Sequence, residues 1–353
     1  MDKLIERFIE LVKIPSPSGK EDEVRNYIED TVKRWGYKIE KDEIGNLFIE
    51  TDKQPKFFLN AHMDTVVPCE NVNPIIEGDI IHSDGTTILG ADDKVGIAVI
   101  LELLERHKEE QPPIQVIFTV QEEIGLVGAK NIKRGRIKAP FGFTLDAGGP
   151  IGNIVIGAPS QYTWRYKVYG VASHAGGAPE RGISAIILAS RMILSLPLGR
   201  IDDETTGNVG IISGGRATNI IPDEVELKGE YRSRNEEKLS NLMEKLRKAS
   251  AIAEIGGGRA ELEYKKEYTR FDLKDNPILE KTVKLLKDAG FLAETMYTGG
   301  GSDANIFNEM GIPTLNLSIG GEDAHSTRES TKISEIMATY KVLEILLNIK
   351  VEG

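Results

Sequence analysis

The sequence predicts an α/β fold: a doubly wound, mostly parallel sheet with helices on both faces, interrupted by an inserted ferredoxin-like α+β domain. Three observations lead there. First, short and nearly continuous apolar runs at 57–61, 114–120 and 141–145 alternate with helical spacing at 3–13, 21–35 and 96–107, the pattern of strands buried on both faces. Second, the rhythm changes near Gly157. A polar–apolar alternation at 162–169 is followed by a helix at 183–196 and strands at 208–212 and 224–232. A helix at 236–253 and a strand at 260–264 complete a β-α-β-β-α-β order. Third, the first pattern resumes, with a helix at 277–289, a strand at 314–319 and a helix at 333–349. The expected division is one discontinuous domain, 1–156 with 269–353, and an insertion at 157–268.

Composition narrows the function classes. The chain has 353 residues, of which 40% are hydrophobic and 28% charged, enough apolar material for a large core and too much for disorder. Its 44 basic and 55 acidic residues give a formal charge of −11, which argues against a broad nucleic-acid or anionic-membrane surface. No run of about 18 apolar residues occurs, and the amphipathic start resembles no signal peptide. The single cysteine, Cys69, rules out an intrachain disulfide and a cysteine-built metal cluster. The expectation is a cytoplasmic protein. Gly256-Gly257-Gly258 and Gly299-Gly300-Gly301 lie in no strand-GxGxxG-helix unit, so a nucleotide-binding module is excluded.

The chemistry collects where strands end. The run 57–61 leads into His62-Met63-Asp64, the run 114–120 into Gln121-Glu122-Glu123, and the run 141–145 into Asp146. In open α/β sheets, ligands bind beyond the carboxyl ends of the strands. Asp92-Asp93 stands at a helix start, and His325 follows the strand at 314–319. Each residue has an ordinary reading: a carboxylate at a helix start is commonly a cap, and a lone histidine at a strand end is commonly structural. Five such positions on one edge are harder to explain that way, and adjacent Glu122 and Glu123 repel unless a cation is near.

Two histidines with several carboxylates suit zinc, cobalt or manganese better than calcium or magnesium. Asp92, Glu123 and Asp146 carry three negative charges and a bridging hydroxide a fourth, so two divalent ions bring the buried sum to zero. Glu122 is left over, where a general base belongs. Asp64 stands two residues after His62 on extended chain and can accept its ring N–H. His82 in a hairpin and His107 at a helix end do not converge on this edge.

These residues resemble a known family. His62-Met63-Asp64-Thr65-Val66, Ala91-Asp92-Asp93-Lys94, Glu122-Glu123-Ile124-Gly125, Asp146 and Ala324-His325-Ser326 are similar in order and spacing to the dinuclear zinc exopeptidases and amidohydrolases. That family includes peptidase T, carboxypeptidase G and succinyl-diaminopimelate desuccinylase. The string from Asp84 to Lys94 looks like its peptidase T branch. The resemblance implies that Asp92 bridges two zinc ions, one also held by His62 and Asp146, the other by Glu123 and His325. Glu122 would be the base and Asp64 the orienter of His62.

The insertion would then be a dimerisation and lid domain. Its His174, within Ser173-His174-Ala175-Gly176, would contact substrate in a neighbouring subunit, and Asn219, Arg232 and Gly301 would anchor substrate. Ser302-Asp303-Ala304-Asn305 and His325-Ser326-Thr327-Arg328-Glu329 look like the wider family, which leaves strict tripeptide preference open. The expected function is metal-dependent hydrolysis of amide bonds in short peptides by an aminopeptidase-like homodimer, with a metal-bridging water and a Glu base. The alternatives are an N-acyl amino acid deacylase of the same family and a non-catalytic metal-dependent binding protein.

Overall fold

A computed structural model describes residues 2–350. The chain divides into two compact units, residues 1–157 with 272–297 and 302–353, and residues 158–271 with 298–301.

The first unit is built on a nine-stranded mixed sheet. Its middle is parallel: Ile114–Thr119, Phe57–His62, Gly142–Ala147 and Thr314–Ser318 lie side by side in that order and point the same way. Every residue of Phe57–His62, Ile114–Thr119 and Thr314–Ser318 is buried, which is why the first two read as nearly continuous apolar runs, broken only by Asn60, Gln115 and the polar residues at their ends. The flanks correct the mostly parallel expectation. Lys38–Lys41 and Leu47–Glu50 form an antiparallel hairpin that continues antiparallel onto Ile114–Thr119, and Ile154–Ala158 runs antiparallel to Thr314–Ser318. A separate three-stranded sheet joins Ile75–Glu77, Ile80–His82 and Ser330–Lys332.

The core of this unit is aromatic and aliphatic. The rings of Phe57 and Phe143 meet edge to face at 5.3 Å, and Phe58 meets Phe307 at 4.8 Å. Helix Ala91–Arg106 is buried from Val95 through Leu104, and the helices Lys3–Val12 and Ile333–Leu346 both pack on it. A helix apolar on all sides belongs inside a large core. Within that stretch the buried acid Glu102 pairs with the buried Arg7.

The second unit is a five-stranded antiparallel sheet ordered Gly199–Asp202, Thr205–Gly214, Glu224–Ser233, Ser160–Tyr169, Arg259–Tyr268. Alternate residues Trp164, Tyr166 and Val168 form a core with Leu188 and Met192 of helix Ala185–Ser195. Leu239, Leu242 and Leu246 of helix Glu236–Ile255 complete it. Both helices start on side-chain caps: Ser184 accepts from the N–H of Ile187, and Asn235 from those of Glu237 and Lys238. Strand Thr205–Gly214 pairs along its length with Glu224–Ser233, but with Gly199–Asp202 only at Thr205, Thr206 and Gly207. Among the described residues no helix is long and apolar enough to cross a membrane.

Candidate metal centre

Four parallel strands deliver the polar residues to one end of the sheet. His62 ends its strand opposite Thr119, and Asp146 is the second-to-last residue of the adjacent strand Gly142–Ala147. After Val120 the chain turns at Gln121, whose φ of 54° is left-handed. Glu122 and Glu123 follow, with their N–H groups donating to the two carboxylate oxygens of Asp64 at 2.9 and 3.1 Å. Ser18 donates to the same carboxylate at 2.6 Å, and Glu21 accepts the N–H of Gln121 at 3.1 Å. Every amide of the segment 121–123 is thus held by a carboxylate from elsewhere in the chain.

His62 is fixed at three points. Its backbone N–H donates to Asp93 at 3.1 Å, and its ring Nδ1 donates to the Asp64 carbonyl oxygen at 2.9 Å. The Asp64 carboxylate, expected to take that proton, lies 3.4 Å away and is occupied with the Glu122-Glu123 backbone. A carbonyl oxygen only accepts, so Nδ1 carries the hydrogen and the lone pair of Nε2 points outward. It faces Asp92 Oδ1 at 3.1 Å, with Asp146 Oδ1 at 3.9 Å. His325, with φ of 63°, sets its Nε2 2.9 Å from Glu123 Oε1 and 3.4 Å from Asp92 Oδ2. Asp146 is anchored by a reciprocal backbone pair with the Asn316 amide at 3.0 and 3.1 Å.

Two donor groups result, His62–Asp92–Asp146 and Asp92–Glu123–His325, each with its ligand atoms within 4.8 Å of one another. Asp92 belongs to both, one oxygen to each. Electrostatics then asks for positive charge. Burial, then the charge of Asp146, pushes the Glu122 carboxyl well above the usual carboxylate range, and burial, then Asp92, does the same to Asp146. Burial disfavours a charged His62, yet Asp64 and Asp92 hold its ring well above the usual histidine range. Asp92 and Glu123 raise His325 to about 10. Lone pairs aimed at carboxylates are stable only around a cation, whether proton or metal. Two imidazoles with three carboxylates fit a pair of divalent ions of the zinc, cobalt or manganese kind.

A profile described as Peptidase family M20/M25/M40 matches residues 58–348. The chain belongs to this peptidase family. Membership makes it a metallopeptidase, and the matched span contains all five residues of the two donor groups. Within the curated proteins it is 40% identical to Uncharacterized protein YqjE of Bacillus subtilis (strain 168), over 98% of this chain and 97% of that one. Two solved peptidase structures are also similar. One is a tripeptidase from Staphylococcus aureus, with TM-score 0.93 and 37% identity over 98% of this chain and 97% of that one. The other is an aminopeptidase PepT from Bacillus cereus, with TM-score 0.87 and 37% identity over the same shares.

The remaining expected residues lie in the second unit. His174 is exposed, its Nδ1 accepting from the N–H groups of Gly176 and Gly177 at 3.2 and 2.9 Å. Asn219 is its neighbour, because Ser173–His174 pairs with Ile220–Ile221 and the Asn219 carbonyl accepts from Ala175 at 2.9 Å. Arg232 makes an ion pair with Glu230 at 2.9 Å and donates to the Gly299 carbonyl at 3.3 Å. Gly301 lies so close to the Tyr268 ring that a Cβ there would meet it at 2.3 Å.

Sequence reasoning gave no role to Ser18, Glu21, Asp93, Asn316 or Glu329. Two of them carried a faint signal: Asp93 adjoins Asp92, and Glu329 stands four residues beyond His325.

Proposed function

We propose that the chain is an aminopeptidase for short peptides, of the tripeptidase and peptidase T kind, acting with two divalent metal ions, zinc foremost. The observation that carries this reading is Asp92, whose two oxygens face two separate histidines. His62, Asp92 and Asp146 would hold one ion, and Asp92, Glu123 and His325 the other. Such ions polarise the scissile carbonyl and make a water acidic enough to attack at neutral pH. Glu122 is the general base: it takes the proton of the attacking water and passes it to the leaving amine. Asp64 serves it by fixing the backbone of Glu122 and Glu123 while its carbonyl sets the ring of His62. A base is useful only within reach of its proton, and the three carboxylate-held amides fix the backbone that carries Glu122.

The second unit supplies substrate contacts in this reading. His174, with Nδ1 occupied as an acceptor, keeps an Nε2–H to donate to the carbonyl oxygen as it gains charge. We assign that donation across a homodimer, and substrate anchoring to Asn219, Arg232 and Gly301. The dimer reading is supported by the open edge of strand Thr205–Gly214. Ile211 and Ile212 there are about half exposed, as is Ile187 on helix Ala185–Ser195, whose Leu194 is 86% exposed. A cytoplasmic setting agrees with the one free, buried cysteine.

The test is a panel of tripeptides, dipeptides and N-acyl amino acids at one zinc concentration. Tripeptides with a free amino terminus should be cleaved fastest. Rapid turnover of N-acyl amino acids with peptides untouched would replace the aminopeptidase by a deacylase.

A further inference from the structure

Glu329 closes the loop that carries His325, yet its side chain joins neither donor group. It is 2% exposed. One of its carboxylate oxygens accepts the N–H of Gly90 at 2.6 Å and the other the N–H of Asp92 at 3.0 Å. Both amides lie where the chain is irregular: Gly90 has φ of 77°, and Asp92 has φ −82° and ψ 106° ahead of the regular helix. Such amides find no partner in a helix or strand ladder and must be satisfied otherwise. The His325 loop is irregular as well. Gly320, Gly321, Asp323 and His325 all have left-handed φ, between 54° and 87°, which is unfavourable for the two that carry a Cβ. At its base Glu322 and Ser330 exchange two backbone hydrogen bonds, of 2.9 and 3.1 Å.

We infer that Glu329 is a positioning residue that locks the His325 loop to the Asp92 segment and thereby assembles the second donor group, Asp92–Glu123–His325. The two groups differ in how they are built. His62 is fixed by Asp93 and the Asp64 carbonyl, and Asp146 by Asn316, all without Glu329. In the second group, two of three members come from the segments that Glu329 ties together. One carboxylate therefore sets the spacing between His325 and Asp92, although the two are 233 positions apart in sequence. A buried carboxylate with both oxygens on backbone amides is a rigid strut, since moving either segment strands a charged acceptor or a bare N–H.

This inference rests on the two-cation reading, and the experiment separates the two. Metal-free wild type, Glu329→Gln, Glu329→Ala and His325→Ala are titrated with zinc in a calorimeter, and their thermal unfolding is followed without metal. Wild type should bind two equivalents in two steps, and His325→Ala identifies the step belonging to the second group. That step should weaken about 10–100-fold in Glu329→Ala, the usual scale for residues that orient ligands. The other step shares only Asp92 with the Glu329 tie, while His62 and Asp146 keep their own anchors, so it should change less. Glu329→Gln keeps one acceptor and should lie between wild type and Glu329→Ala, and it decides the matter if Glu329→Ala does not fold. Two equivalents bound by Glu329→Gln as tightly as by wild type would overturn the inference. So would equal weakening of both steps alongside a lower melting temperature, the mark of a general structural role. Fewer than two equivalents in wild type would instead sink the two-cation reading itself.

Discussion

His62 and His174 are both candidate chemical groups, and the two units treat them in opposite ways. His62 is buried at the end of a parallel strand, with its backbone and both ring nitrogens committed to partners contributed by Asp64, Asp92 and Asp93. His174 is exposed on a two-residue strand, its Nδ1 accepting from amides two and three residues away. A parallel sheet brings residues distant in sequence to one edge, because every strand ends there. An antiparallel sheet returns the chain at each turn and tends to satisfy a loop locally. Cation chemistry is therefore legible in the first unit from convergence alone, while in the second only resemblance to a family gives His174 a role.

Four experiments break or sharpen that contrast, from the largest expected effect downward. Glu122→Gln should lower turnover about 10²–10⁴-fold, the span of a general base, and leave metal content intact, whereas Glu123→Ala should lose metal too. Elemental analysis beside steady-state kinetics checks both, and near-normal turnover in Glu122→Gln would remove its role as base. Next, His174→Ala should cost about 10²–10³ in turnover with metal unchanged. Mixed dimers of Glu122→Ala and His174→Ala subunits should regain activity, because one site then has both residues intact. Undiminished turnover in His174→Ala would leave all the chemistry in the first unit.

Smaller effects should follow from packing. A Cβ at Gly142 would stand 2.2 Å from the Phe58 ring, and one at Gly229 would stand 2.2 Å from the Trp164 ring and 2.3 Å from the Asn208 carbonyl. Either alanine should cost about 1–3 kcal/mol in urea unfolding, as overpacking does. Only Gly142→Ala, on the strand that bears Asp146, should also weaken metal binding. Smallest, Asn235→Ala should cost about 1 kcal/mol through the lost cap of Glu236–Ile255 and leave metal binding untouched.

The same contrast explains what the sequence made readable. His62, Asp146 and the Glu122-Glu123 pair stood out because each follows a buried run whose apolar residues permit no polar face. The hairpin Lys38–Lys41 and Leu47–Glu50 went unseen: its outer strand is Lys-Ile-Glu-Lys, four residues with three charges, which suits an edge and carries little strand signal. The antiparallel flanks went unseen with it, so a mixed sheet read as mostly parallel. Glu21, Asp93 and Glu329 were invisible for another reason. Each is a buried carboxylate that accepts backbone N–H groups, and most of those amides belong to segments far away in the chain. No local period marks such a partner. Ser18, in a Pro-Ser-Pro-Ser-Gly stretch, reads as part of an ordinary turn until its hydroxyl is found on Asp64.

The central claim is that Asp92 is shared by two cations, and removing it tests that claim most directly. Wild type and Asp92→Ala, stripped of metal and then titrated with zinc, are compared by equilibrium dialysis and elemental analysis. Two equivalents should bind to wild type, and both should weaken together in Asp92→Ala, since each donor group loses a member. Saturation of wild type at one equivalent, or an Asp92→Ala protein that keeps one site at wild-type affinity, would contradict the account.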